Sequence, residues 1–140
     1  MLFVANIEIM KISKNSKVLI ILFTSDFYKY YYGLNLASTY KATNKNVTLF
    51  YTGYSVNFLS KNWNDYDKKN INKKFKKKQM PDYLEILKLC SELEVNFVFC
   101  KTALEFVSLN EDDIIDNVNI TSAPLYQIIN KYKNEQTIFI

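Results

Sequence analysis

Cys90 and Cys100 are the side chains of this chain best suited to nucleophilic chemistry, and they stand ten positions apart. A thiolate attacks sulfur, carbon or metal centres, and it is formed most readily where positive charge or backbone N–H groups surround it. The spacing is not that of a C-x-x-C redox pair, and two cysteines do not make a secreted disulfide framework. A reducing, cytoplasmic compartment is the expected setting. The two thiols differ in context. Cys90 falls on the apolar side of a helical pattern, where a free cysteine behaves as a small hydrophobe. Cys100 follows an apolar run and precedes a short helical pattern, and Lys101 is its neighbour. A thiol at such a strand-to-helix step can meet the start of a helix and its free N–H groups, which favours thiolate. The plain alternative is a buried residue at the end of a strand.

Several chemistries are excluded by what the chain lacks. It has no histidine, and its 18 basic residues are all lysine. A Ser-His-Asp triad, a Cys-His pair and imidazole-based zinc sites are therefore absent. Without arginine there is no planar bidentate grip on a carboxylate or phosphate. Gly33 and Gly53 are its two glycines. They cannot supply the G-x-G-x-x-G or G-x-x-x-x-G-K-[ST] loops that cradle nucleotide phosphates. No cofactor and no metal are expected.

The elements that must position Cys100 follow from the apolar pattern. Val18–Phe23, Val47–Tyr51, Val95–Phe99 and Thr137–Ile140 read as strands, and their near-continuous apolar character suits strands covered on both faces. Helical spacing runs over Asp26–Thr43, with Phe27, Tyr30, Tyr31, Leu34, Ala37 and Lys41 on one side and Ser25 or Asp26 as the cap. It recurs over Asp82–Leu93 behind Pro81, then over Thr102–Val107 and Pro124–Tyr132. Strands alternating with helices make right-handed βαβ units. The expected fold is α/β, a three-layer α/β/α sandwich around a mainly parallel sheet of four to five strands. A chain of 140 residues suits one domain of this kind, over residues 17–140. Residues 1–16 read as a tail or an edge strand over Leu2–Ile9. Met1–Met10 is neither a good signal peptide nor long enough to span a bilayer. In such folds sites lie beyond the carboxyl ends of the strands. That places Thr24–Asp26, Thr52–Tyr54 and Cys100–Thr102 at the site.

The net charge of +4 has a local origin. Residues 61–78 hold eight lysines against Asp65 and Asp67, a net of +6, while the other ten lysines face twelve acids, a net of −2. This Lys-rich insertion, about residues 61–79, reads as a mobile excursion from the sheet. It is either a solvated face or an electrostatic landing strip for RNA or an acidic protein, and no base-reading motif accompanies it.

With these elements set out, the chain resembles the DsrE/DsrF-like family of sulfur-relay proteins. Residues 17–52 are similar to that family's opening strand, long helix and second strand. Residues 53–61, GYSVNFLSK, are similar to its aromatic-rich turn and short helix. Residues 80–115 match its helix, strand and Cys-led segment, and residues 118–140 its closing elements. Ala103 and Ser108 stand where the related Cys-led motif carries Ser and Gly, and Ser55 stands where a glycine is common. The resemblance implies that Cys100 carries sulfane sulfur as a persulfide, in a crevice with Ser25, Asp26, Tyr54, Lys101 and Thr102. It implies exchange with rhodanese-like or TusA-like partners, and a homo-oligomer. The competing reading is a binding or regulatory subunit that does no chemistry, which the eleven tyrosines and ten phenylalanines support as interface material. For Asp26, helix capping competes with any role at the site.

Overall fold

The computed structural model describes residues 16–140. The edge strand expected over Leu2–Ile9 lies outside the described residues. From Ser16 onward the chain alternates as its apolar runs predict. Strand β1 (Lys17–Leu22) leads to helix α1 (Phe27–Ala42), and β2 (Asn46–Tyr51) to 3-10 turns over Gly53–Leu59 and Trp63–Tyr66. Helices α2 (Ile71–Lys77) and α3 (Tyr83–Glu92) precede β3 (Asn96–Phe99). Helix α4 (Lys101–Phe106), a 3-10 turn (Glu111–Asp113), β4 (Ile120–Ser122), α5 (Leu125–Lys131) and β5 (Gln136–Phe139) complete the order.

The five strands form one sheet in the order β4-β3-β2-β1-β5. Every pair is parallel, with Ile20 beside Leu49 and Leu49 beside Phe97. Buried central strands explain why VLIIL and VTLFY read as unbroken apolar runs. Alternation along β2 separates the two helical layers. Tyr51 meets Tyr30 of α1 through their hydroxyls. Thr48, on the opposite face, bonds the hydroxyl of Tyr132 at the end of α5. Helices thus lie on both sides of the sheet, a three-layer α/β/α sandwich.

The caps are those the sequence offers. Asp26 accepts a hydrogen bond from Lys29 N at 2.9 Å, and Asp82 from Glu85 N at 3.0 Å, satisfying N–H groups that the first helical turn leaves open. Phe27, Tyr30, Tyr31, Leu34 and Ala37 are buried on α1, and Tyr83, Ile86, Leu87 and Cys90 on α3.

Two expectations change. Residues 61–78 are not a free excursion, because Phe75 stacks on Tyr31 at 4.1 Å and buried Asn72 accepts the backbone N–H of Tyr83 at 2.8 Å. Asp67 starts α2 by accepting from Ile71 N and Asn72 N. The lysines stay exposed around this anchored helix. The second change is β4, three residues with an exposed pattern that leave no apolar run to read.

Candidate functional site

Cys100 ends β3 and is the N-cap of α4, with φ −93° and ψ 119°. Its N–H donates to Tyr51 O at 2.9 Å, which ties the turn to the end of β2. Its carbonyl accepts from Ala103 N and Leu104 N, the first bonds of α4. Its Sγ takes no capping hydrogen bond from the helix, so the backbone donation to sulfur expected from the sequence is not made. The residue is 8% exposed, and it opens into a cleft of about 740 Å³.

That cleft lies where parallel strands end, at the carboxyl ends of β1, β2, β3 and β4. Lys101, Thr102 and Ala103 enter it from α4, Thr52, Gly53 and Tyr54 from the turn after β2, and Ser122–Leu125 from the loop after β4. Phe23 and Phe106 complete its apolar walls. A site of this kind, mostly apolar with a few polar groups, shields a reactive sulfur from water while leaving it reachable. Lys101 Nζ stands 3.6 Å from Glu111 Oε1, an exposed pair that holds the ammonium beside the mouth. Among the described residues no three thiols or carboxylates gather as a metal-binding set.

A row of aromatic rings crosses the mouth. Phe106 meets Tyr54 edge-on at 5.8 Å, Tyr54 meets Phe23 at 6.1 Å, and Phe23 stacks on Phe139 at 5.7 Å. Gly53 permits the close packing of Phe23. Its φ is +53°, a conformation that costs a side-chain-bearing residue, and an added Cβ would lie 2.3 Å from Phe23 Cδ2. Ser55, fully buried, donates to Thr24 O at 2.8 Å and staples this turn to the end of β1.

Of the residues assigned to the site from sequence, Tyr54, Lys101 and Thr102 line the cleft with Cys100. Ser25 and Asp26 do not. Ser25 borders two adjoining hollows, one of about 280 Å³ shared with Tyr54 and one of about 360 Å³, and Asp26 borders the second while engaged as the cap of α1. Phe23, directly after β1, still reaches the cleft, whereas Ser25 and Asp26, where the chain turns into α1, face the hollows beside Tyr66 and Lys68. Sequence reasoning missed Phe23, Phe106 and Leu125. Phe23 and Phe106 flank the expected β1 and Cys100 turns, but no pattern in the chain tells which face of the sheet edge they take.

Cys90 is fully buried and donates to Leu34 O at 3.3 Å. Burial pushes its thiol up to about 12, with the backbone of Ser38 pulling weakly the other way. It is a core residue and stays protonated at neutral pH.

No helix among the described residues is long and apolar enough to cross a membrane. No curated protein matches the chain. Solved structures share its fold. A protein of unknown function from Methanobacterium thermoautotrophicum aligns over 90% of this chain and 100% of its own, at 13% identity and a TM-score of 0.66. The ychN protein from E. coli aligns over 89% and 99%, at 14% identity and 0.65. A conserved protein of unknown function from Bacteroides thetaiotaomicron aligns over 91% and 97%, at 18% identity and 0.58. The model of the DsrE/DsrF-like family matches residues 17–139, which takes in every strand of the described residues, the cleft and Cys100, and the chain accordingly belongs to the DsrE/DsrF-like family.

Proposed function

We infer that this protein is a sulfur carrier that holds sulfane sulfur as a persulfide on Cys100. The observation that carries the reading is the placement of the one cleft-lining thiol at the carboxyl edge of the sheet, within apolar walls, in a chain of this family. The chemistry needs no cofactor and no general base. The Cys100 thiolate attacks the outer sulfur of a donor persulfide, R–S–SH. A new S–S bond forms to Cys100, the donor's own S–S bond breaks, and the donor leaves as the thiolate RS⁻. The sulfane sulfur is neither oxidised nor reduced, and its proton stays with the new persulfide. An acceptor thiolate then removes it by the same exchange. Phe23, Tyr54 and Phe106 limit water at the adduct, while Lys101 offers positive charge to an anionic persulfide. Rhodanese-like or TusA-like proteins are the fitting donors and acceptors, a homo-oligomer the fitting assembly and the cytoplasm the fitting compartment.

The test is release of sulfur by cyanide after exposure to polysulfide. Wild type and Cys90→Ala should yield thiocyanate in proportion to chain, and Cys100→Ser none. Equal yield from Cys100→Ser would remove Cys100 as the carrier and leave the reading of a binding subunit without chemistry.

A further inference from the structure

We propose that the carboxyl edge of the sheet is also a binding surface for single-stranded nucleic acid, laid along a groove that runs from the Cys100 cleft to the start of α2. The groove is built of three adjoining hollows. Tyr54 is shared by the first and second, and Ser25, Tyr66 and Lys68 by the second and third. Aromatic rings and ammonium groups alternate along it. Phe106 and Tyr54 stand exposed at the first hollow with Lys101, and Tyr28 stands exposed at the third with Lys68 and Lys69, beside the half-buried Tyr66. Beyond the last hollow α2 presents Lys73, Lys74 and Lys77 to solvent, with no ion pair among the described residues; Lys76 pairs with Asp82 at 3.5 Å.

Two classes of partner fit exposed aromatic rings, and the lysines decide between them. Protein interfaces are enriched in aromatic residues but depleted of lysine. Single-stranded nucleic acid needs both, rings on which bases stack and cations that follow the backbone. The carboxylates along the groove are already engaged. Asp26 caps α1, both oxygens of Asp67 take the first N–H groups of α2, and Glu111 pairs with Lys101. These features are shared by single-stranded RNA and DNA, and the comparison of the two in the experiment distinguishes the sources.

This inference does not rest on the sulfur-carrier reading, and Cys100→Ser should bind RNA as wild type does. The experiment is fluorescence anisotropy with a labelled single-stranded RNA of mixed sequence, about 12 nucleotides, a length matched to such grooves. The same sequence as DNA and as duplex RNA provides the comparisons. Binding of the single-stranded RNA should weaken with salt, with a log–log slope of about −0.7 for each phosphate neutralised, and so near −1.4 for Lys68 and Lys69. Lys68→Glu with Lys69→Glu should flatten that slope, and Tyr54→Ala should cost roughly tenfold in Kd. A thermal melt by circular dichroism identifies any variant that fails to fold, and the exposed lysine pair should melt as wild type. Salt-independent binding, equal binding of the duplex, or lysine variants that bind unchanged would overturn the proposal, whereas single-stranded DNA bound as tightly as RNA would support it and show that rings and phosphates alone are read. So would no RNA binding together with an oligomer that Tyr54→Ala dissociates, because the surface would then belong to a second copy.

Discussion

Removing one hydroxyl from the core should show how the layer beneath the site is held. Tyr30, Tyr51 and Tyr83 are fully buried, and their hydroxyls form a chain. Tyr83 Oη lies 2.6 Å from Phe58 O, and a carbonyl can only accept, so Tyr83 donates there. Its single proton is then spent, so Tyr30 donates to Tyr83 at 2.9 Å and Tyr51 to Tyr30 at 2.8 Å. Tyr83→Phe breaks two bonds and leaves the Phe58 carbonyl buried without its donor. Two hydrogen bonds at about 1 kcal/mol each, plus part of the cost of an orphaned acceptor, give a loss of roughly 2–3 kcal/mol. Tyr51→Phe removes only the outermost donor and leaves Tyr30 bonded to Tyr83, a loss of about 0.5–1 kcal/mol. Trp63 reports both, because its ring meets Tyr83 edge-on at 4.6 Å and it is the one tryptophan of the chain. Urea unfolding followed by its fluorescence at neutral pH gives both values, with unchanged m as the sign that only stability moved. Equal losses, or a larger one for Tyr51→Phe, would refute the direction of the chain.

Three further outcomes follow from the same packing. Burial raises the hydroxyls of Tyr30, Tyr51 and Tyr83 above the ordinary value of 10.0, with neighbouring tyrosines adding to the shift for Tyr30 and Tyr51. Above that pH the unfolded chain releases protons that the folded chain retains, so their contribution is whole below about pH 10 and lost as pH rises past it. Three such groups give a slope approaching about 4 kcal/mol per pH unit, and urea midpoints that stay level from neutrality to strong alkali would contradict it. Dithionitrobenzoate should titrate Cys100 in the native protein and Cys90 only on unfolding, since Cys100 lines the cleft while Cys90 is sealed in the core; two thiols reacting together would be inconsistent with that burial. Gly53→Ala should lose about 1–2 kcal/mol from its left-handed backbone and displace Phe23 from the cleft wall, read as a lower melting temperature and faster alkylation of Cys100; an unchanged alkylation rate would mean that Phe23 does not gate the thiol.

Much of the frame was legible because the core writes itself into the chain. The runs Val18–Leu22 and Val47–Tyr51 are apolar on both faces, as strands under two helical layers must be. The turn that carries Cys100 was legible as a strand end followed by helical spacing. What the pattern could not carry was lateral order. Nothing in the chain says that the step after β1 turns away from the cleft between Phe23 and Ser25, so Ser25 and Asp26 group with Cys100 by sequence though they face a different hollow. Strand β4 was hidden because an exposed edge of three residues needs no apolar run. The lysine segment hid its anchor for the opposite reason. Phe75 is a single apolar residue among charges, yet with Ile71 one turn before it the spacing is that of a helix with one docked side.

The central claim is that Cys100 carries sulfur. Its most direct test is the intact mass of the protein after incubation with a persulfide or polysulfide donor, for wild type and Cys100→Ser. The account predicts one or more added sulfur atoms on wild type, reversed by dithiothreitol and missing from the variant. Wild type that gains no mass, with Cys100 also slow toward iodoacetamide, would contradict it.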